Sequence, residues 1–298
     1  MQIDLSKLET EARNIRSEKI DQLSVKETVE LINQEDETIS LAVKKAIPAI
    51  TDAIEATISN YRVGGRIIYI GAGTSGRLGV LDAVECFPTY GVSEEYIFGI
   101  LAGGIEAMFK AVEGAEDSGT LAVSDLQEIK LTEKDIVIGV AASGRTPYVI
   151  KALEYANELG AVTLSVSCVS KAKVSEVAQY PIEVVTGPEV VTGSTRMKAG
   201  TAQKMVLNMI STVVMIQTGK VYSNLMVDVK ATNEKLVVRA NQIIQEATGC
   251  TEEEATSHFI AANEDVKVAI CTILLGTSVE AAKRLLEQAD GRIREAIK

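Results

Sequence analysis

The chain has 298 residues, 46% of them hydrophobic and 24% charged, with 30 Lys and Arg against 41 Asp and Glu and a formal net charge of −11. That length fits one large domain and a smaller one, and the acidic balance argues against a nucleic-acid or anionic-membrane partner. A single histidine, His258, and four widely spaced cysteines without a CxxC pair argue against a Ser-His-Asp triad, a His-based metal site, a zinc site and a disulfide framework.

Residues 1–11 are polar and acidic and lack the apolar stretch of a secretory signal, so a cytoplasmic protein is expected. The longest apolar run, 205–216, is broken by Asn208, Ser211 and Thr212 and is too short to span a bilayer. Ser24 is a predicted cap for a helix over 25–32. Ile39, Val43, Ile47, Ile50, Ile54 and Ile58 recur at helical spacing and predict a second helix over about 35–60. No catalytic pattern marks this part, which reads as scaffold or subunit contact.

From Arg66 the pattern alternates. Apolar runs at 67–70, 96–101, 136–141, 162–166 and 181–185 predict strands; 78–86, 105–112, 148–159 and 170–179 predict helices between them, and 200–219 a longer one. Such alternation gives an α/β fold with a parallel sheet, whose ligand lies beyond the carboxyl ends of the strands. There the sequence places Gly71, Gly73, Thr74, Ser75, Gly76 and Arg77 after the first strand. Ser143, Gly144, Arg145 and Thr146 follow the third, and Gly193, Ser194, Thr195 and Arg196 precede the long helix. A Gly/Ser-rich turn before a helix gathers unpaired N–H groups and the positive end of the helix dipole, so three such turns point to one phosphorylated ligand.

After Lys220 the strand signals stop. Helices are predicted over 221–247, from a Thr251–Glu254 capping box through 262, over 266–275 and over 278–289, as a small helical bundle. His258 falls within it and reads as a helix-surface or packing residue.

Gly71, Gly73 and Gly76 also fit a dinucleotide fingerprint, but the second predicted strand ends without a carboxylate for a ribose. Two carboxylates stand out. Glu85 sits beside Val84, Cys86, Phe87 and Pro88, where apolar surroundings would favour a proton-donating acid; Glu116 lies in an acidic turn. On pattern alone, the reading of either as a solvated surface charge is the stronger one.

Several blocks are more specific: Thr10-Glu11-Ala12-Arg13-Asn14, Ile32-Asn33-Gln34-Glu35-Asp36, the 71–77 and 111–117 stretches, Gly193-Ser194-Thr195-Arg196-Met197-Lys198-Ala199-Gly200-Thr201, and Asn224-Leu225-Met226-Val227-Asp228. In these blocks, and over nearly its whole length, the chain resembles the N-acetylmuramic acid 6-phosphate etherases. These are bacterial cell-wall recycling enzymes of the SIS (sugar isomerase) fold, and the glucokinase regulatory protein is a non-catalytic relative. The resemblance implies a three-layer α/β/α sandwich on a five-stranded parallel sheet over 57–220, a helical segment at 1–56, and a ubiquitin-associated-like helical domain at 221–298.

It further implies cleavage of the D-lactyl ether of N-acetylmuramic acid 6-phosphate to N-acetylglucosamine 6-phosphate and D-lactate, by a cytoplasmic homodimer without a cofactor or metal. Glu85 and Glu116 are then the catalytic carboxylates, Glu85 giving a proton to lactate and Glu116 taking the C2 proton. The phosphate falls to Thr74, Ser75, Ser143, Gly144, Thr146, Ser194 and Thr195, with Arg77, Arg145, Arg196 and Lys198 as nearby cations. Ala141 stands where SIS proteins often carry a serine, so the second loop has fewer hydroxyls to offer. The rival readings are a phosphosugar isomerase and a sugar-phosphate sensor, and neither needs both carboxylates.

Overall fold

The structure is a computed structural model, described here for residues 9–229 and 234–298. The expectation of no secretory signal rests largely on residues 1–8, outside the described residues. After two short 3-10 turns come α1 (Val25–Asp36) and α2 (Ile39–Arg62). Ser24 and Glu27 form a full capping box at the start of α1.

The alternating region follows as β1 (Ile67–Gly71), α3 (Gly73–Tyr90), β2 (Ile97–Leu101), α4 (Gly119–Glu128), β3 (Ile136–Val140), α5 (Pro147–Glu158), β4 (Val162–Ser167), α6 (Lys173–Val177), β5 (Tyr180–Glu183) and α7 (Lys198–Gln217). The five strands form one parallel sheet in the order β2-β1-β3-β4-β5. This order reverses direction at β1, so the crevice at the switch point lies between β1 and β3. Gly71 pairs with both Leu101 and Val140, so β1, β2 and β3 end level with one another.

Alternate side chains of each strand face opposite ways, and helices cover both faces. Ile68, Ile70 and Val137 pack with Tyr148, Val149 and Leu153 of α5 and with Ala122 and Leu126 of α4. From the other face the Tyr69 hydroxyl donates to Asp82 Oδ2 of α3 at 2.7 Å, and Asn208 Nδ2 of α7 reaches Asp82 Oδ1 at 2.5 Å. Arg66 closes the base of the sheet. Its guanidinium bonds Asp135 at 2.6 and 2.9 Å, and Asp135 also accepts from the Thr132 N–H at 2.8 Å.

Several element boundaries differ from expectation. The predicted helix over 105–112 is only a 3-10 turn, Ile105–Met108, while α4 carries no strong apolar period and was not expected. The stretch predicted as helix over 221–247 begins as a hairpin of β6 (Val221–Tyr222) and β7 (Leu225–Met226). Its two central residues are Ser223, with φ +55°, and Asn224, and they turn the chain. Residues 230–233 of that stretch lie outside the described residues, and α8 (Glu234–Thr248) follows.

The chain divides into two compact units, the described residues through Ala83 with Glu95–Ile210, and Val84–Glu94 with Ser211–Lys298. The second unit contains α8, α9 (Glu252–Ala261), α10 (Val266–Leu275), α11 (Val279–Gln288) and α12 (Ile293–Ala296). Ile244, Phe259, Ile270, Ala282 and Ile293 form its core. His258 Nδ1 lies 2.9 Å from Thr272 Oγ1, between α9 and α10, as a packing residue would. Cys86, Cys168, Cys250 and Cys271 form no disulfide among the described residues. No helix among the described residues is long and apolar enough to cross a membrane.

Candidate active site

The first glycine turn is not a loop ahead of a helix but the first turn of α3, which begins at Gly73. Its early N–H groups have no intrahelical acceptor, and the helix dipole adds positive charge there. Gly76 makes this possible. A β-carbon on it would lie 2.5 Å from both the Gly71 carbonyl oxygen and Leu101 Cδ1, so only glycine lets the helix start this close to the sheet.

This turn opens on a cavity of about 340 Å³ lined by Ala72, Gly73, Arg77, Val112, Glu113 and Glu116 among others. Glu116 is exposed, on the 3-10 turn Ala115–Asp117. The cavity thus joins the anion-attracting turn to two carboxylates, Glu113 and Glu116. Arg77 is not a free cation: its guanidinium donates to the Ala107 carbonyl at 2.6 and 3.0 Å and the Met108 carbonyl at 3.2 Å. It holds the turn after β2 against α3.

Ser75 is not among the residues that line that cavity. It is buried, and its hydroxyl donates to Gln203 Oε1 of α7 at 3.0 Å. Thr74 borders the same helix, since a β-carbon on Gly200 would sit 3.6 Å from Thr74 Cγ2. The first turn of α3 therefore meets the segment that begins at Ser194.

In the second turn Gly144 has φ +65°, and a β-carbon on it would come within 2.4 Å of Ala172 Cβ. Its N–H is spent on the Ala141 carbonyl at 2.9 Å, so Gly144 shapes the turn. Thr146 precedes α5 without a side-chain cap bond, and Pro147 occupies the first helical position, so the start of α5 is open to a ligand.

The third turn differs. Glu189 is fully buried and accepts the N–H groups of Lys198 and Ala199 at 2.9 Å each. Burial pushes its carboxyl up, against those N–H groups and Lys198. An internal carboxylate thus already fills the start of α7, and what this turn offers a ligand is the half-buried hydroxyls of Ser194 and Thr195. The hydroxyls of Thr74, Ser143, Thr146, Ser194 and Thr195 bond to no other described residue; Ser75 is the exception.

Lys198 is also committed. Its ammonium pairs with Glu35 at 2.8 Å, both side chains buried, and Glu35 further holds Arg16 at 2.8 Å and Asn14 at 2.9 Å. Arg145 and Arg196 remain as cations without an ion pair among the described residues. Glu85 is exposed on α3, nearly three turns after Ser75, with exposed Leu81, Val84 and Phe87 around it. The apolar neighbours expected around it are present, but within the single chain they leave its carboxylate in solvent, and it does not line the cavity that holds Glu116.

Residues 49–157 match the glucokinase regulatory protein N-terminal SIS domain, 116–213 the SIS domain, and 223–268 the C-terminal lid domain of glucokinase regulatory protein. The N-acetylmuramic acid 6-phosphate etherase 2 of Lactiplantibacillus plantarum is 55% identical over 295 residues, covering 99% of this chain and 100% of that protein. The chain belongs to the N-acetylmuramic acid 6-phosphate etherase family. The etherases of Exiguobacterium sp. and Staphylococcus aureus are each 56% identical, the first over 98% of this chain and 100% of its own length, the second over 94% of both.

Two solved structures share the fold at TM-score 0.50 and 16% identity. The phosphoheptose isomerase of Francisella tularensis covers 65% of this chain with 100% of its own, and a protein of Escherichia coli CFT073 covers 68% with 97% of its own. For this etherase-family chain, sequence reasoning missed Glu35, Glu189 and Gln203. Glu35 and Gln203 lie in or beside motif blocks, but no local pattern of charge or period singles them out.

Proposed function

We propose that the protein cleaves the D-lactyl ether of N-acetylmuramic acid 6-phosphate, giving N-acetylglucosamine 6-phosphate and D-lactate in cell-wall amino-sugar recycling. Family membership over nearly the full length supports the reading. The structural observation that carries it is the single cavity in which the first turn of α3 and Glu116 face the same space. An anion-attracting helix start beside a carboxylate suits a phosphorylated sugar whose carbon-bound proton must be removed.

In the open-chain sugar the C2 proton is acidified by the adjacent aldehyde. Glu116 removes it, the C3–O bond breaks, and Glu85 protonates the departing lactate oxygen. Water then adds across C2=C3. Each step is proton transfer or addition at carbon, within reach of two carboxyl groups and water. Thr74, Ser75, Ser143, Thr146, Ser194 and Thr195 hold the phosphate through hydroxyls and helix-start N–H groups, Gly144 sets the turn, and Arg145 and Arg196 supply charge.

Residues 57–220 form the phosphosugar-binding domain, between an N-terminal helical segment and a helical domain over 221–298. The protein works in the cytoplasm as a homodimer, in which the exposed Leu81, Val84 and Phe87 give α3 an apolar face for a second subunit beside Glu85. Incubating the pure protein with N-acetylmuramic acid 6-phosphate and assaying D-lactate tests the reaction. Absence of lactate release from folded protein overturns it.

A further inference from the structure

Gln203 is 1% exposed, on the second turn of α7, and its amide is half used. Oε1 accepts the Ser75 hydroxyl proton at 3.0 Å, while Nε2 is buried with no partner among the described residues. A buried amide N–H₂ without an acceptor is destabilising, so this arrangement invites an explanation.

Proton counting supplies one. A serine hydroxyl has one proton to donate, and a phosphate oxygen only accepts. With that proton on Gln203, Ser75 cannot donate to a phosphate. A half-turn of the amide exchanges two groups of nearly equal size. Nε2–H then donates to Ser75 Oγ, and the Ser75 proton is free to point elsewhere. Either orientation leaves one end of the amide unpaired, so neither is strongly preferred without ligand. A charge-assisted bond from Ser75 to phosphate would decide between them.

We infer that Gln203 is a positioning residue for phosphate: its amide turns end for end when a phosphate group binds at the start of α3, handing the proton of Ser75 to the ligand. The inference rests on the proposed role of Ser75 in phosphate binding and deepens it. The hydroxyls of Thr74, Ser143, Thr146, Ser194 and Thr195 bond to no other described residue, which leaves Ser75 as the hydroxyl of this set that must be released.

Gln203→Glu separates this from a mere clamp between α3 and α7. A carboxylate there still accepts from Ser75, so the observed bond survives, but it cannot donate and Ser75 stays locked. Binding of N-acetylglucosamine 6-phosphate and of inorganic phosphate is measured by calorimetry at neutral pH, with thermal melting to establish folding. Gln203→Glu is expected to weaken both about tenfold, as loss of one charge-assisted hydrogen bond does. The weakening must disappear in a Ser75→Ala background, because Gln203 acts only through that hydroxyl. In turnover it raises KM and leaves kcat within a few-fold.

Acidification that protonates the new carboxyl restores its ability to donate, and with it affinity relative to wild type at the same pH. Unchanged affinity in Gln203→Glu overturns the inference. So does a loss of the same size whether Ser75 is present or replaced by alanine, which is direct repulsion by the new charge. If Gln203→Glu does not fold, Gln203→Met serves, since it frees the hydroxyl without competing for it; affinity near or above wild type is expected, and a tenfold loss overturns the inference. Wild-type protein that binds neither probe removes the phosphate site itself, a different failure.

Discussion

Lys198 Nζ lies 2.8 Å from Glu35 Oε2, and both side chains are almost wholly buried, at 4% and 5% exposure. The contact joins α1 to the start of α7, across 163 residues of sequence. Asn14 and Arg16 hold the same carboxylate, while Glu11 approaches Gly193 closely enough that a β-carbon there would lie 3.0 Å from its Oε2. Three motif blocks that are separate in sequence are thus one structure, built around the turn that presents Ser194 and Thr195.

The pair is expected to be costly to break and cheap to replace. Removing one partner leaves a buried charge alone, so Glu35→Met or Lys198→Met should lose about 3–5 kcal/mol each in urea denaturation. The double variant Glu35→Met with Lys198→Met buries no charge and should be more stable than the sum of the single losses implies. Simple additivity would show that Glu35 is held by Asn14 and Arg16 rather than by Lys198.

Asp135 sets a pH dependence of defined sign. Burial alone would raise its carboxyl, but the bonds from Arg66 and the N–H groups of Thr132 and Arg66 outweigh it and hold it below the ordinary value of 3.8. Folded protein therefore binds this proton more weakly than unfolded protein. The stabilisation is complete above pH 3.8 and is lost as pH falls through the depressed folded value. Glu35 has the same sign: burial opposes it, but Lys198, Asn14 and Arg16 together lower it. Denaturant midpoints for Asp135→Asn should fall relative to wild type near neutral pH, and the gap should narrow below pH 4. A gap constant from pH 7 to 3 would remove the charge of Asp135 as its cause.

Much of the sheet was legible because a strand buried on both faces is a short apolar run, as at Ile67–Gly71 and Ile136–Val140. The three glycine turns were legible as Gly, Ser and Thr before a helix. What each turn does with its donors was not. Ser75 reads like Thr74 in sequence, yet Gln203, 128 residues on, occupies its hydroxyl. Nothing local to Gly193–Arg196 shows that Glu189 fills the start of α7. The hairpin at Val221 was missed because Val221, Tyr222, Leu225 and Met226 also satisfy a helical period, and the decision falls to the turn residues between them.

Glu116→Gln and Glu85→Gln should each lower turnover about 10²-fold or more while binding of N-acetylglucosamine 6-phosphate persists, since in the proposed mechanism each removes a proton carrier without removing a phosphate contact. The two are distinguishable by exchange. Deuterium exchange at C2 of the substrate should vanish with Glu116→Gln, but should survive in Glu85→Gln, where proton removal precedes the blocked departure of lactate. Near-normal rates in either variant would return that carboxylate to the solvated surface.

The order of bond breaking leaves an isotopic record. If the C2 proton leaves before lactate, the reaction passes through an unsaturated aldehyde, and water must add back across C2=C3. Turnover in heavy water is then expected to place deuterium at C2 of N-acetylglucosamine 6-phosphate. Turnover in ¹⁸O-labelled water should put the label on the C3 hydroxyl of that product, while the oxygen of D-lactate stays unlabelled because it departs with the lactyl group. Direct displacement at the lactyl carbon gives the reverse, with label in lactate and none at C3. Finding the reverse pattern would leave ether cleavage standing but remove the C2 proton from the pathway. Glu116 would then have no proton to take, and the carboxylate beside the first turn of α3 would need a different role.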